Sequence, residues 1–544
     1  MGTFSMLQEQ LWGMHEQTKT ILRFIAMGQT PQRNTDSSQP MAAKKNVVQK
    51  PRNNMRKRLG LILGPILFFF ILFGISPKGM SDEAIGVLAS TVWIATWWIT
   101  EAIPIPATSL LPAILFPLTG AIDDIGSITS EYGNKNIFLF LGGFIIAIGM
   151  EKWNLHRRIA LNIILFVGTN TNRLVLGFMV ATGFISMWIS NTATAMMMLP
   201  IALAVITHVT KLLEEQKKTM MGENFGKAIM LGIAYSASIG GLGTLIGTPP
   251  NVIFASVVEE LFHEEISFAT WMAFGVPLSV ILIAFTWIYL IKIAFPLKMK
   301  EIPGGRDAIV YEKRKIGRMS FEEKLVLTVF SLTAFAWITR SFLLKKLIPR
   351  IDDTLIALTA AVVLFLLPSK QSENRTLLNW DDAKKVPWGI LLLFGGGLAI
   401  AKGFSTTGLA QWIGEQLTVL QNIHFIFMIV IVTALVIFLT EITSNTATAT
   451  MMFPIMASLA IAINVHPFVL MVAAGLAASC AFMLPVATPP NAIVFGSGEL
   501  KITDMVKAGF WMNIVSIIII SIFVYFYLPF AWGIEPSVFP DSFK

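Results

Sequence analysis

Apolar runs of about 18 residues or more recur along this chain, each long enough to cross a bilayer as a helix. Of 544 residues 54% are hydrophobic and only 14% charged, against roughly 25% charged in an average soluble protein. A water-facing coat cannot be built from that charge, so a soluble globular enzyme is excluded. An outer-membrane barrel is excluded too, because barrel strands alternate apolar and polar residues in short stretches and these runs are continuous. The class is an all-α polytopic membrane protein. Cys480 is the single cysteine, which forbids an intrachain disulfide and a Cys-based metal cluster. The six histidines are scattered with no HExxH pair, so a membrane-embedded enzyme finds no acid/base or metal constellation. The net charge of +8 comes from basic clusters between apolar spans. That placement suits loops facing anionic lipid, not nucleic acid.

Helices are expected at about 59–76, 82–103, 106–122, 135–151, 172–210, 227–262, 267–295, 324–344, 353–368, 387–403, 424–464, 467–499 and 507–532. Residues 1–54 read as a cytoplasmic tail, with an amphipathic spacing over 6–27 followed by a polar stretch. Seven Lys and Arg fall in 44–58 and eight in 298–324, which places both segments in the cytoplasm. The loop 123–134 holds Asp123, Asp124 and Glu131 with no basic residue and suits the outside. Lys345, Lys346 and Arg350 on an outer loop run against the rule. An amphipathic arm helix is expected from His156 to about Gly168.

An internal duplication carries the strongest signal. Ser190-Asn191-Thr192-Ala193-Thr194-Ala195 recurs as Ser444-Asn445-Thr446-Ala447-Thr448-Ala449, and ten of the twelve residues 190–201 match 444–455. Phe140-x-Gly142-Gly143 recurs as Phe394-x-Gly396-Gly397 at the same offset of 254. Thr248-Pro249-Pro250-Asn251 recurs as Thr488-Pro489-Pro490-Asn491 at an offset of 240. Five full spans separate the two Ser-Asn-Thr motifs, and an odd number of crossings turns the second copy upside down. The long segments 172–210 and 424–464 carry polar residues at their centres and read as re-entrant hairpins. Inverted repeats meeting near the midplane are the architecture of secondary transporters. The domains expected are a first helix with the first repeat over 55–295, a cytoplasmic linker 296–323, the second repeat over 324–532, and an extracellular tail 533–544.

Ser-Asn-Thr at a hairpin tip offers hydroxyl, amide and freed backbone groups. Pro-Pro within an apolar run breaks the helix and frees carbonyls, which the membrane tolerates only where they are buried in protein or line a cavity. Half-helix N-termini suit an anion, and exposed carbonyls suit a hard cation such as Na+. Among the intramembrane charges, Glu441 stands three residues before Ser444 and is expected to orient that tip, whereas Glu101 and Lys402 are expected to be structural or interfacial.

On these motifs the chain resembles the divalent anion:sodium symporters, the INDY-type di- and tricarboxylate transporters, over about 59–532. The resemblance implies eleven spans plus two re-entrant hairpins, a scaffold and an elevator-type transport domain, and a homodimer in the cell membrane with its amino terminus inside. It implies substrate contacts from Ser190, Asn191, Thr192, Ser444, Asn445, Thr446, Thr488 and Pro489. One sodium site would use Ser186, Ser190, Asn191 and Gly247, and the other Thr440, Thr443, Asn445 and Ala487. The function implied is Na+-coupled uptake of C4 dicarboxylates such as succinate, fumarate and malate. Two alternatives stay open: a Na+-independent dicarboxylate exchanger, and a citrate or sulfate transporter of the same superfamily.

Overall fold

The computed structural model describes residues 55–168, 170–215, 219–297, 305–372, 375–419 and 423–543. The amphipathic spacing over 6–27 lies outside these residues. The first half runs α1 (Met55–Gly74), α2 (Asp82–Thr100), α3 (Ile105–Leu118), α4 (Lys135–Lys152) and α5 (Leu155–Val167). It continues through α6 (Thr171–Ser186), α7 (Asn191–Glu215), α8 (Thr219–Gly241), α9 (Pro249–Phe262) and α10 (Phe268–Ala294). An amphipathic helix α11 (Gly305–Ile316) leads to α12 (Phe321–Leu347), α13 (Asp353–Leu366), α14 (Trp388–Thr406) and α15 (Leu409–Leu417). The chain closes with α16 (Phe425–Thr440), α17 (Asn445–Ala462), α18 (Pro467–Ala478), α19 (Pro489–Phe495) and α20 (Ile502–Trp532). Among the described residues nine helices are long and apolar enough to cross a membrane, and four shorter ones are also apolar. No strand forms there beyond an isolated bridge between Pro368 and Thr376.

Side chains that satisfy the first free N–H groups set several starts. Ser81 caps α2, Ser267 caps α10, Asp352 caps α13, and Ser320 with Glu323 forms a capping box at α12. Three helices carry a π turn near their carboxyl ends, at Leu290–Ala294, Arg340–Leu344 and Phe523–Tyr527.

The duplication is visible element by element. Helices α4 to α7 recur as α14 to α17: α6 begins at Thr171 and α16 at Phe425, α7 at Asn191 and α17 at Asn445. Asn154 and Gly408, immediately before α5 and α15, both take left-handed backbone angles (φ 57° and 73°) that turn the chain out of α4 and α14. Helix α5 is the arm expected from His156 to about Gly168; its counterpart α15 falls in none of the helices expected from sequence. The helices expected at 227–262 and 467–499 are each two helices, α8 with α9 and α18 with α19, separated by non-helical segments around 242–248 and 479–488.

Contacts between the repeats show their relative direction. Gly226 lies against Glu499, Tyr235 packs on Phe482 and Phe254 on Phe468. Ascending α8–α9 thus meets α18–α19 in descending order. The two broken spans run antiparallel, which is the inversion that the span count requires. Close packing within the first repeat depends on small residues: a Cβ on Gly240 would collide with the backbone of Gly183 in α6.

Ion pairs tie the helix ends. Arg340 is only 3% exposed and bridges Glu265 and Asp353, each at 2.8 Å. Asp353 also accepts the Phe268 N–H at 2.8 Å. Lys135 pairs with Glu259 nearby. In a second group, Arg158 grips both oxygens of Glu323, Arg157 pairs with Glu312 and Lys152 with Asp382.

Candidate functional site

Both recurring motifs sit at helix starts. Asn191 opens α7, and Ser444 is the N-cap of α17. Thr248 and Thr488 are the N-caps of α9 and α19, with the two prolines of each motif at the first helical positions. Proline suits that place, because its missing N–H belongs to a position with no intrahelical partner and its fixed φ is already helical. The Pro-Pro pair is therefore less a kink inside one span than the restart of a second helix. Helices α7, α9 and α17 direct their positive ends and free N–H groups to the motif residues, an arrangement that favours an anion. Ser190, Asn191 and Thr192 are half-buried, as are Ser444, Asn445 and Thr446; Thr488 is buried and Pro489 exposed.

The oxygen atoms around the two asparagines repeat almost atom for atom. Ser186 Oγ lies 2.6 Å from Asn191 Oδ1 and 2.6 Å from the Ala237 carbonyl. Thr440 Oγ1 lies 2.8 Å from Asn445 Oδ1 and 2.8 Å from the Ala478 carbonyl. A hydroxyl has one proton to donate, so each triplet gathers more acceptor oxygen than its hydrogen can satisfy. In the first copy a Cβ on Gly241 would come within 2.8 Å of Asn191 Oδ1 and 3.1 Å of the Gly247 carbonyl, so a side chain there would have no room. Such oxygen cradles match the coordination of a hard cation. Among the described residues no cluster of His, Cys, Asp and Glu could hold a metal ion.

The motif asparagines Asn251 and Asn491 hold the broken segments in shape. Asn251 Nδ2 donates to the carbonyls of Gly241 (3.0 Å) and Thr244 (2.7 Å), and Asn491 Nδ2 donates to those of Ala481 and Leu484, both at 3.1 Å. Some carbonyls freed by the break are thus satisfied by the motif itself. Sequence reading named neither asparagine as part of the site, although their recurrence was in view.

The two copies differ elsewhere. Thr443 gives its hydroxyl to the Leu439 carbonyl and meets Thr448 Oγ1 at 2.6 Å. Ile189 occupies the matching place in the first copy, and the buried Thr194 hydroxyl has no hydrogen-bond partner. Ser190 Oγ accepts the Ala193 N–H at 3.3 Å, and Thr488 Oγ1 that of Asn491 at 3.3 Å. Among the described residues no hydrogen bond joins 190–192 to 444–446; contacts between the copies include the rings of Tyr235 and Phe482 and of Phe254 and Phe453.

Lys402 is engaged away from these residues, 2.7 Å from Glu131 and 3.2 Å from the Ser127 carbonyl. Glu101 ends α2 in a left-handed conformation. Glu441 does not touch the Ser444 tip as expected. Its carboxylate faces the break between α18 and α19, where it accepts the N–H groups of Phe482, Met483 and Leu484.

Comparison with known proteins bears on the fold and the family. Two solved transporters share the fold. The YdaH transporter of Alcanivorax borkumensis has a TM-score of 0.53 at 10% identity, covering 84% of this chain and all of that one. MtrF of Neisseria gonorrhoeae, described within a class of antimetabolite efflux pumps, has a TM-score of 0.51 at 13% identity, covering 87% and 95%. A protein of Staphylococcus saprophyticus named sodium-dependent dicarboxylate transporter SdcS is 52% identical over 485 residues, 89% of this chain and 93% of the relative. Its namesake in Staphylococcus aureus is 51% identical over 480 residues, 88% and 92%. The family model described as the sodium:sulfate symporter transmembrane region matches residues 56–532. With nearly the whole helical body matched, the chain belongs to the sodium:sulfate symporter family and is a membrane transporter, not an enzyme.

Proposed function

We propose that this protein couples inward Na+ movement to the uptake of C4 dicarboxylates such as succinate, fumarate and malate across the bacterial plasma membrane. The observation that carries the reading is the pair of oxygen cradles at Asn191 and Asn445, each beside a helix start with free N–H groups. Cations in the cradles supply positive charge that the site's own side chains lack, so a dianion gains its countercharge only when Na+ is present. Duplicated Ser-Asn-Thr tips match a ligand with two carboxylates, one donor set for each end. Relatives more than half identical bear the name of sodium-dependent dicarboxylate transporters, which favours this substrate over sulfate or citrate.

In this reading Ser190, Asn191, Thr192, Ser444, Asn445, Thr446, Thr488 and Pro489 contact the substrate. Ser186, Ser190, Asn191 and Gly247 hold one Na+, and Thr440, Thr443, Asn445 and Ala487 the other. The hairpin helices α6–α7 and α16–α17 move with the broken spans as an elevator against a scaffold, in a homodimer with its amino terminus inside.

The test is uptake of labelled succinate into proteoliposomes. Uptake driven by an inward Na+ gradient and abolished by its removal is the expected result. Succinate exchange that persists without Na+ identifies an exchanger, and selective uptake of sulfate or citrate replaces the substrate assignment.

A further inference from the structure

Glu441 ends α16, is 3% exposed, and finds no Lys or Arg partner among the described ion pairs. Instead it is solvated by the protein. Its Oε1 accepts the N–H groups of Phe482 (2.7 Å) and Met483 (2.9 Å) and the Asn513 side-chain amide (2.8 Å), and its Oε2 accepts the Leu484 N–H at 3.1 Å. Three consecutive N–H groups of the α18–α19 break thus converge on one carboxylate. Buried N–H groups must find acceptors, and a nest of successive N–H groups is a natural host for negative charge.

The linkage continues into both halves of the second cradle. Glu441 follows Thr440, whose hydroxyl meets Asn445 and the Ala478 carbonyl. Leu484, held through its N–H, offers its carbonyl to Asn491 Nδ2 and to the Ala487 N–H. Ala487 and Thr488 follow directly, one assigned to the cation and the other to the substrate.

The first repeat does this without charge. Met187 stands where the second has Glu441. There Thr244 Oγ1 donates to the Met187 carbonyl, Trp271 Nε1 to the Leu242 carbonyl at 2.9 Å, and Ser279 Oγ to the Ile239 carbonyl at 2.9 Å.

We propose that Glu441, oriented by Asn513, is a positioning residue that sets the second cation cradle and the Thr488 hydroxyl. The two cation sites of one duplicated protein are therefore held by different chemistry. The inference rests on the Na+-coupled reading above.

Succinate binding and uptake are measured across a Na+ titration in the wild-type protein, Glu441→Gln, Glu441→Asp, Asn513→Ala and Met187→Leu. Glutamine keeps the size of the side chain but must set an amide NH2 against at least one of those donors, the Leu484 N–H where its oxygen keeps the place of Oε1. It is expected to raise the Na+ concentration for half-maximal uptake about 10-fold or more, with much of the maximal rate recovered at saturating Na+. Aspartate should rescue part of that shift, Asn513→Ala should give a smaller shift in the same direction, and Met187→Leu should give none. A merely structural role would lower yield and thermal stability and leave Na+ dependence unchanged; that outcome in Glu441→Gln overturns the proposal. If Glu441→Gln does not fold, Asn513→Ala decides, and its wild-type Na+ dependence would equally overturn it. Loss of Na+ dependence in the wild-type arm defeats the Na+-coupled reading itself and is recognised before any variant is compared.

Discussion

Replacing Asn191 with alanine removes the amide oxygen that lies 2.6 Å from Ser186 Oγ. It leaves the Ser186 hydroxyl, the Ala237 carbonyl and the Gly247 carbonyl in place, so the first cradle loses one ligand of the set. A hydrogen bond to a charged group contributes about 1.5–3 kcal/mol; taking one ion contact as similar, and 1.4 kcal/mol as tenfold, apparent Na+ affinity should fall about 10- to 150-fold. The same amide is assigned to the substrate, so succinate affinity at fixed Na+ should fall as well. Coupling between two ligands is reciprocal in binding free energy, so raising Na+ should recover part of the succinate affinity. Asn445→Ala should behave in the same way at the second cradle. Equilibrium binding of succinate to purified protein across a Na+ titration measures both quantities, and circular dichroism checks that the variant is folded. Weakened succinate binding with an unchanged Na+ dependence would refute the shared role and remove Asn191 from the cation site.

Asn491→Ala loses two hydrogen bonds that shape the α18–α19 break and should lower uptake and thermal stability together, while Asn491→Asp should recover neither, since a carboxylate cannot donate to those carbonyls; full activity in either variant would show that the segment holds itself. Arg340→Met leaves Asp353 buried with an unpaired charge and should destabilise the protein by about 3–5 kcal/mol. Adding Asp353→Asn should return much of that loss in thermal unfolding, and additive losses would argue against the pair. Lys402→Met breaks the pair with Glu131 and should leave succinate binding in saturating Na+ close to wild type; a folded variant that cannot bind would give Lys402 the charge-neutralising role. Thr488→Ala should weaken succinate binding about 10-fold while Thr488→Ser stays mild, and equal losses in the two would point to the methyl group.

Much of this could be read from sequence because it is local or counted. The Ser-Asn-Thr and Thr-Pro-Pro-Asn strings recur at fixed offsets, and an odd number of intervening spans turns the second copy over. The antiparallel meeting of α8–α9 with α18–α19 has that origin. The same offset carries Leu155 to Leu409, the start of α15, but nothing in a short, polar segment marks it as a helix without that mapping. What sequence could not supply were partnerships across the fold. Glu441 is three residues from the Ser444 tip yet bonds to Phe482, 41 residues away, because the helix end points its carboxylate toward the break in the next span. Lys402 and Glu131 are separated by 271 residues and meet only because α14 packs against the segment before α4. The splitting of 227–262 into two helices was implied by Pro-Pro, but the capping by Asn251 needed the folded turn to be seen.

The π turn of α12 has a consequence for how such helices change. A π turn accommodates one residue more than an α-helix uses over the same stretch, so Lys345–Leu347 are rotated by about 100° relative to the register set by Phe321–Thr339. That is the signature left when a single residue is inserted into a helix whose two ends are already anchored. Arg340 opens the turn and stays buried, while the added residue is absorbed beyond it, where the side chains are largely exposed. Helices α10 and α20 carry the same device. Single-residue gains and losses among related sequences should therefore gather at these three turns, and a deletion within 341–344 should swing Lys345 and Lys346 onto a different face.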